Sequence, residues 1–206
     1  MYFKYGETEI NYLKSKDKIL GKAIDKIGHI NRKIDKDLFS SVIYHIIGQQ
    51  ISTKAHCTVW ERINQKIGKI TVDKISKLTV NEIQTFGMTF KKAQYIKDFS
   101  DKIKNKELNL SKIKNKPDNE IINDLTKLNG VGSWTAEMVL IFCLQRPDVL
   151  SYQDLAILRG LRILHQHKII TKEIFDKYKR RYSPYGSVAS LYLWSIAAGS
   201  LEKLDE

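Results

Sequence analysis

Cysteine, proline and long apolar runs are all scarce in this chain of 206 residues. Its two cysteines, Cys57 and Cys143, cannot build a disulfide framework, nor the four-cysteine set of an iron–sulfur cluster or structural zinc site. Both lie in apolar helical patterns and are expected as reduced core thiols. Three prolines and no low-complexity stretch leave no flexible interdomain linker. No apolar run approaches the ~18 residues of a membrane span, and the opening MYFKYGETEINYLKSKDK lacks the apolar core of a signal peptide. The five histidines, His29, His45, His56, His165 and His167, form no recognisable ligand set. The His165–His167 pair falls at a helix end and is expected to be solvated.

What the sequence has is basic charge on a foldable chain. Thirty-five basic and 23 acidic residues give a formal charge of +12, beside 42% hydrophobic residues, which excludes a disordered basic tail. A polyanion such as nucleic acid is the partner such a balance favours, although a Lys, Ile and Asn bias in composition produces the same sum.

The apolar spacing is helical throughout, with no sustained alternation bounded by hairpin turns, so the fold class is all-α. Leu38, Phe39, Val42, Ile43, Ile46 and Ile47 form one helix face; Ser52 opens a helix carrying Ala55, Val59, Trp60 and Ile63 toward the core; Thr89 opens another with Ala93, Ile96, Phe99 and Ile103 on one side. Pro117 and Asp118 start a helix that continues through Ile121, Ile122, Leu125 and Leu128. Further helices are expected over 133 to about 144, 153 to about 165, 171 to about 181 and 184 to about 200. The Lys/Asn-rich stretch from Lys104 to Lys116 is expected to connect two helical lobes across the surface.

One segment carries chemistry. From Leu125 to Leu140, LTKLNGVGSWTAEMVL, a helix stops, a Gly-x-Gly turn follows and a second helix begins, which is a helix-hairpin-helix. Gly130 and Gly132 tolerate positive φ and a close backbone approach, and the new helix presents N–H groups and its positive dipole end to an anion. Such a turn grips phosphate without reading bases. An ordinary αα-corner would use the same glycines. Asp154 follows Gly132 by twenty-two residues at the head of another helix, where an isolated Asp is most often an N-cap.

Four blocks in order, IIGQQISTKA (46–55), LNGVGSWTAE (128–137), RPDVLSYQDLAILRG (146–160) and YSPYGSVASLYLW (182–194), resemble the helix-hairpin-helix DNA glycosylases, nearest to the 3-methyladenine DNA glycosylase II family. The resemblance runs over about residues 38 to 200. It implies a two-lobed all-α fold with a cleft between lobes, a single helical unit over 1–206 with one lobe at about 38–115 and the other at 1–37 plus 116–206. The N-terminal β-rich domain of some relatives is not expected ahead of this core. Asn129, Ser151 and Gly186 depart from the Pro, Pro and Arg common at those positions, without removing a group the reaction requires.

The resemblance implies a monofunctional glycosylase of base excision repair that flips an alkylated purine such as 3-methyladenine out of double-stranded DNA and hydrolyses its N-glycosidic bond. Asp154 matches the catalytic carboxylate. Trp134 stands where strand-nicking relatives carry a Schiff-base lysine, so it is expected to stack on the base, with Trp194 and Tyr152 as further pocket residues. Gly130, Val131, Gly132, Gln49 and Gln50 are expected to contact DNA, with Gln50 filling the gap left by the flipped base. Lys91 and Lys92 are candidate phosphate contacts. A monovalent cation would map to the backbone of Thr126, Leu128 and Val131, and no cofactor is implied. A monomer located in the cytoplasm with the nucleoid is expected. Two rivals stay open: the same fold acting on uracil, hypoxanthine or mismatched bases, and a non-catalytic DNA-binding module. An endonuclease III type is disfavoured by Trp134 and the missing cysteine cluster.

Overall fold

Polar side chains at the head of a helix satisfy amides that have no partner within it. Asp17, Asp37, Ser52, Thr71, Thr79, Thr89, Asn109, Asp154 and Thr171 all do so here. The computed structural model describes residues 1–201, and these hold thirteen helices. They are α1 (Glu7–Lys16), α2 (Lys18–Ile27), α3 (Leu38–Gly48), α4 (Thr53–Ile67), α5 (Val72–Ser76), α6 (Val80–Gln84), α7 (Phe90–Lys104), α8 (Leu110–Ile113), α9 (Asp118–Thr126), α10 (Ser133–Phe142), α11 (Leu155–His165), α12 (Lys172–Tyr182) and α13 (Gly186–Ala197). The fold is therefore all-α. Among the described residues the β content is a single bridge between Tyr2 and Lys33, and no helix is long and apolar enough to cross a membrane. The single unit expected over 1–206 includes residues 202–206, which lie outside the described residues.

The chain divides into two compact units, one running from Asp35 to Leu144 and the other combining Met1–Ile34 with Gln145 onward. The expected boundary near 115–116 is replaced by one at 144–145, because α9 packs on α10 and α10 packs on α3. The stretch from Lys104 to Lys116 consequently stays within the first of these units. Its short helix α8 anchors it by burying Ile113.

Within the Asp35–Leu144 unit, α3 is buried on nearly every side, as an all-round apolar helix must be. It packs against α4, α7 and α10, with Phe39 and Phe99 stacked at 5.2 Å. Helix α4 turns only Val59 and Ile63 fully inward; Ala55 is exposed and Trp60 half-buried, so its apolar stripe is narrower than the sequence suggests. Cys57 on the same helix is exposed, contrary to expectation. Cys143 is buried, and desolvation pushes its thiol up to about 12.

In the other unit α13 is almost wholly buried and lies close against α11. Gly160 allows that approach: a Cβ there would come within 2.3 Å of the Leu193 carbonyl oxygen. Of the His165–His167 pair, expected to be solvated, His165 has a buried side chain and His167 is half-buried. His165 Nε2 lies 3.1 Å from the Tyr182 hydroxyl and 3.3 Å from Asp17 Oδ2, while His167 Nε2 lies 2.8 Å from Tyr178 Oη. Asp17 also accepts from Arg181 and Tyr182; burial raises its carboxyl, but the Leu20 N–H, the neighbouring His165 and these two bonds together hold it below the usual range. Burial in turn holds His165 below its ordinary value, more strongly than Asp17 raises it.

Candidate active site and nucleic-acid interface

Serine residues of α13 fix the loop that leads to Asp154. Ser187 Oγ donates to the Arg146 carbonyl at 2.6 Å and accepts the Val149 N–H at 3.0 Å; Ser190 Oγ donates to carbonyls including that of Val149, at 2.9 Å. Asp148 accepts from Ser183 Oγ and from the Gly186 N–H. A Cβ at Gly186 would stand 2.9 Å from Asp148 Oδ1, so a side chain at this position would have to displace the Asp148 carboxylate.

The chain held in this way delivers Asp154 to the head of α11. Its Oδ1 accepts the Ala156 and Ile157 N–H groups at 2.9 and 3.0 Å, as an N-cap does, and its Oδ2 accepts the Trp194 indole N–H at 3.1 Å. Asp154 is 6% exposed and its carboxylate is fixed through both oxygens. Trp194 is half-buried, and the sequence reading of an aromatic wall missed this polar contact. Tyr152 is exposed, edge-on to Phe175 at 5.1 Å, with the Lys172 ammonium 5.5 Å from its ring centre. Leu155, beside Asp154, is 80% exposed, an apolar surface residue that sequence periodicity assigned to no role.

The hairpin lies in the Asp35–Leu144 unit, between α9 and α10. Gly130 has φ +79°, the left-handed region, and a Cβ on it would fall 2.1 Å from the Tyr95 ring. Gly132, expected to share that freedom, has φ −88° in extended backbone, and a Cβ there would meet nothing within 4 Å. Only the first glycine is demanded by the turn; the second is an open approach. Val131 is buried, its N–H donating to the Leu128 carbonyl at 3.1 Å. Gly132 begins α10 without a side-chain cap, and Trp134 is half-buried in that helix's first turn.

The loop after α3 is bound to this hairpin. Gln49 Nε2 donates to the Gly130 carbonyl at 2.7 Å and to Thr135 Oγ at 2.9 Å. Lys92 Nζ donates to the carbonyls of Ile47 and Gln49, at 2.8 and 2.6 Å, and burial lowers its pKa. Lys92 is thus turned inward and not poised as a phosphate contact; Lys91 lies 5.9 Å from the Tyr95 ring centre. Gln50 is exposed at φ +55°, a conformation costing a side-chain-bearing residue about 1 kcal/mol or more. The His56 ring fits against Gly48, where a Cβ would come 2.7 Å from Cε1. Its Nε2 is buried without a hydrogen-bond partner, and burial lowers its pKa.

These features sit in a chain whose residues 43–184 match the model for HhH-GPD superfamily base excision DNA repair proteins. The chain belongs to that superfamily. It is 30% identical over 177 residues to DNA-3-methyladenine glycosylase 1 of Schizosaccharomyces pombe, covering 81% of this chain and 76% of that one. Among solved structures, the 3-methyladenine DNA glycosylase Mag1 of that yeast, in complex with abasic DNA, superposes with a TM-score of 0.83 at 27% identity, covering 92% of this chain and 96% of that one. A DNA-3-methyladenine glycosidase from Bacillus halodurans also gives 0.83 at 27% identity, covering 100% and 98%.

Proposed function

We propose that this protein is a monofunctional DNA glycosylase of base excision repair, which releases alkylated purines such as 3-methyladenine from double-stranded DNA by hydrolysing the N-glycosidic bond. The observation that carries this reading is Asp154: a buried carboxylate held through both oxygens, in a chain of this superfamily. Glycosidic cleavage develops positive charge on the sugar, and a fixed carboxylate stabilises that charge and orients or deprotonates water without reorganising.

A ring-alkylated purine is cationic and leaves readily, so little acid catalysis is required. Trp134 offers an aromatic face to such an electron-poor ring and has no amine with which to form a Schiff base. Trp194 orients the carboxylate, and Tyr152 contributes to the pocket. The uncapped start of α10, reached across Gly130, Val131 and Gly132, suits a DNA phosphate. Gln50, exposed on its loop, fills the space of the flipped nucleotide. In the turn itself, carbonyls of Thr126, Leu128 and Val131 would hold a monovalent cation; the Leu128 oxygen accepts the Val131 N–H and keeps a second lone pair for it. The protein acts as a monomer, in the cytoplasm with the nucleoid.

One observation favours a second reading. The two amide bonds to Asp154 Oδ1 are those of an ordinary N-cap, and a non-catalytic DNA-binding module would need nothing more of this residue. Incubation with duplexes carrying single defined lesions, followed by alkaline cleavage of abasic sites, separates the two. Base release supports the enzyme, and DNA binding without release supports the module.

A further inference from the structure

We propose that Gln49 is a positioning residue that ties the loop carrying Gln50 to the phosphate-binding hairpin, so that gripping the backbone and filling the vacated stack occur as one rigid unit. The inference rests on the glycosylase reading above and goes beyond it by assigning what places Gln50.

Helix α3 ends at Gly48, and a helix end leaves carbonyls without intrahelical partners. Lys92, from the first turn of α7, donates to two carbonyls at this end, those of Ile47 and Gln49. On the other side of the loop the Gln49 amide spends both its donors on the hairpin, one on the Gly130 carbonyl and one on Thr135 Oγ in α10. Gln50, between these anchors and the start of α4, is held in a left-handed conformation that an untethered loop would leave. Its side chain is exposed, whereas its neighbour's is tied down.

Helix α7 braces the same assembly a second time. Tyr95, one turn beyond Lys92, lies so close to Gly130 that a Cβ there would overlap its ring. One face of α7 therefore sets the loop with Lys92 and the hairpin with Tyr95, and Gln49 joins loop to hairpin directly. All of these contacts fall within the Asp35–Leu144 unit. A duplex whose phosphates settle on the hairpin then meets Gln50 at a preset height, without a loop rearrangement to order it.

The experiment compares wild type with Gln49→Met, Lys92→Met and the donor-keeping Lys92→Arg. Single-turnover release of 7-methylguanine is measured from a duplex with cytosine opposite, and from one with an abasic analogue opposite, where no partner base has to be satisfied. A 2-aminopurine beside the lesion reports unstacking by its fluorescence. Both methionine variants are expected to slow the paired substrate about tenfold, equivalent to about 1.4 kcal/mol. The unpaired substrate slows much less, the fluorescence rise is lost, and Lys92→Arg keeps it. Equal slowing on both substrates, or unchanged rates with the fluorescence rise intact, would overturn the proposal. A wild-type protein that releases no 7-methylguanine strikes the glycosylase reading instead. Should Gln49→Met fail to fold, Thr135→Val, which removes one acceptor of the Gln49 amide and keeps the side-chain shape, carries the same comparison.

Discussion

The indole N–H of Trp194 donates to Oδ2 of Asp154 at 3.1 Å, across forty positions of sequence. With the two amides on Oδ1, this bond leaves the carboxylate a single orientation. A carboxylate that must face developing charge gains from being held before the reaction begins.

Replacing Asp154 by Asn separates cap from charge. The amide oxygen still caps α11, so folding is kept with a loss of about 1 kcal/mol or less from the disturbed Trp194 contact. Base release falls by at least about a hundredfold, the scale of losing a preorganised electrostatic group. Thermal melting and single-turnover kinetics check the two halves, and a variant within tenfold of wild type would assign the carboxylate to capping alone.

Trp134 predicts the product. Borohydride should trap no covalent protein–DNA complex, and strands should stay intact until alkali or heat is applied, because no amine stands at this position to attack the sugar. Gel analysis showing a trapped adduct would place the chain among the strand-nicking enzymes.

The two hairpin glycines should respond differently. Gly130→Ala forces a Cβ into the Tyr95 ring at positive φ and is expected to destabilise the fold by about 2 kcal/mol or more. Gly132→Val places its Cβ in open space but puts valine at the N-cap of α10, so stability falls by only about 1 kcal/mol while affinity falls for damaged and undamaged duplex alike. Loss on one lesion only would assign this loop to base recognition.

Much of this was readable locally. Ser52, Thr89 and Asp118 open helices as their positions suggest, and the Gly-x-Gly turn stands where the pattern puts it. What local pattern could not supply is partnership over distance. Tyr182 meets Asp17 across 165 positions, and His165, read as solvated, lies buried against both. Lys92 looked like any surface lysine because nothing nearby in sequence shows the carbonyls it reaches. Ala55 and Cys57 kept the helical period of α4 but fell outside its narrow buried stripe. For Gly160 the signal was present, a glycine inside a helix, yet its reason is a carbonyl on another helix.

Acid should weaken the fold in two stages. His56 and His165 are held below their ordinary value of 6.5 chiefly by burial, so below about that pH the unfolded chain binds more protons than the folded one and stability falls with pH. Asp17, held below its ordinary 3.8, adds a further loss as pH drops past that value. Urea midpoints measured between pH 7.5 and 5.5 should decline, and less so in His165→Gln; a midpoint that rises on acidification contradicts the assignment.

Substrate preference tests the central claim most directly. In a competition assay with 3-methyladenine, 7-methylguanine, hypoxanthine, 8-oxoguanine and uracil placed singly in one sequence context, the two cationic alkylpurines should be released far faster than the neutral bases. Neutral bases leave poorly without an acid, and an aromatic face favours the electron-poor ring. Faster excision of uracil, hypoxanthine or 8-oxoguanine than of 3-methyladenine would contradict the account.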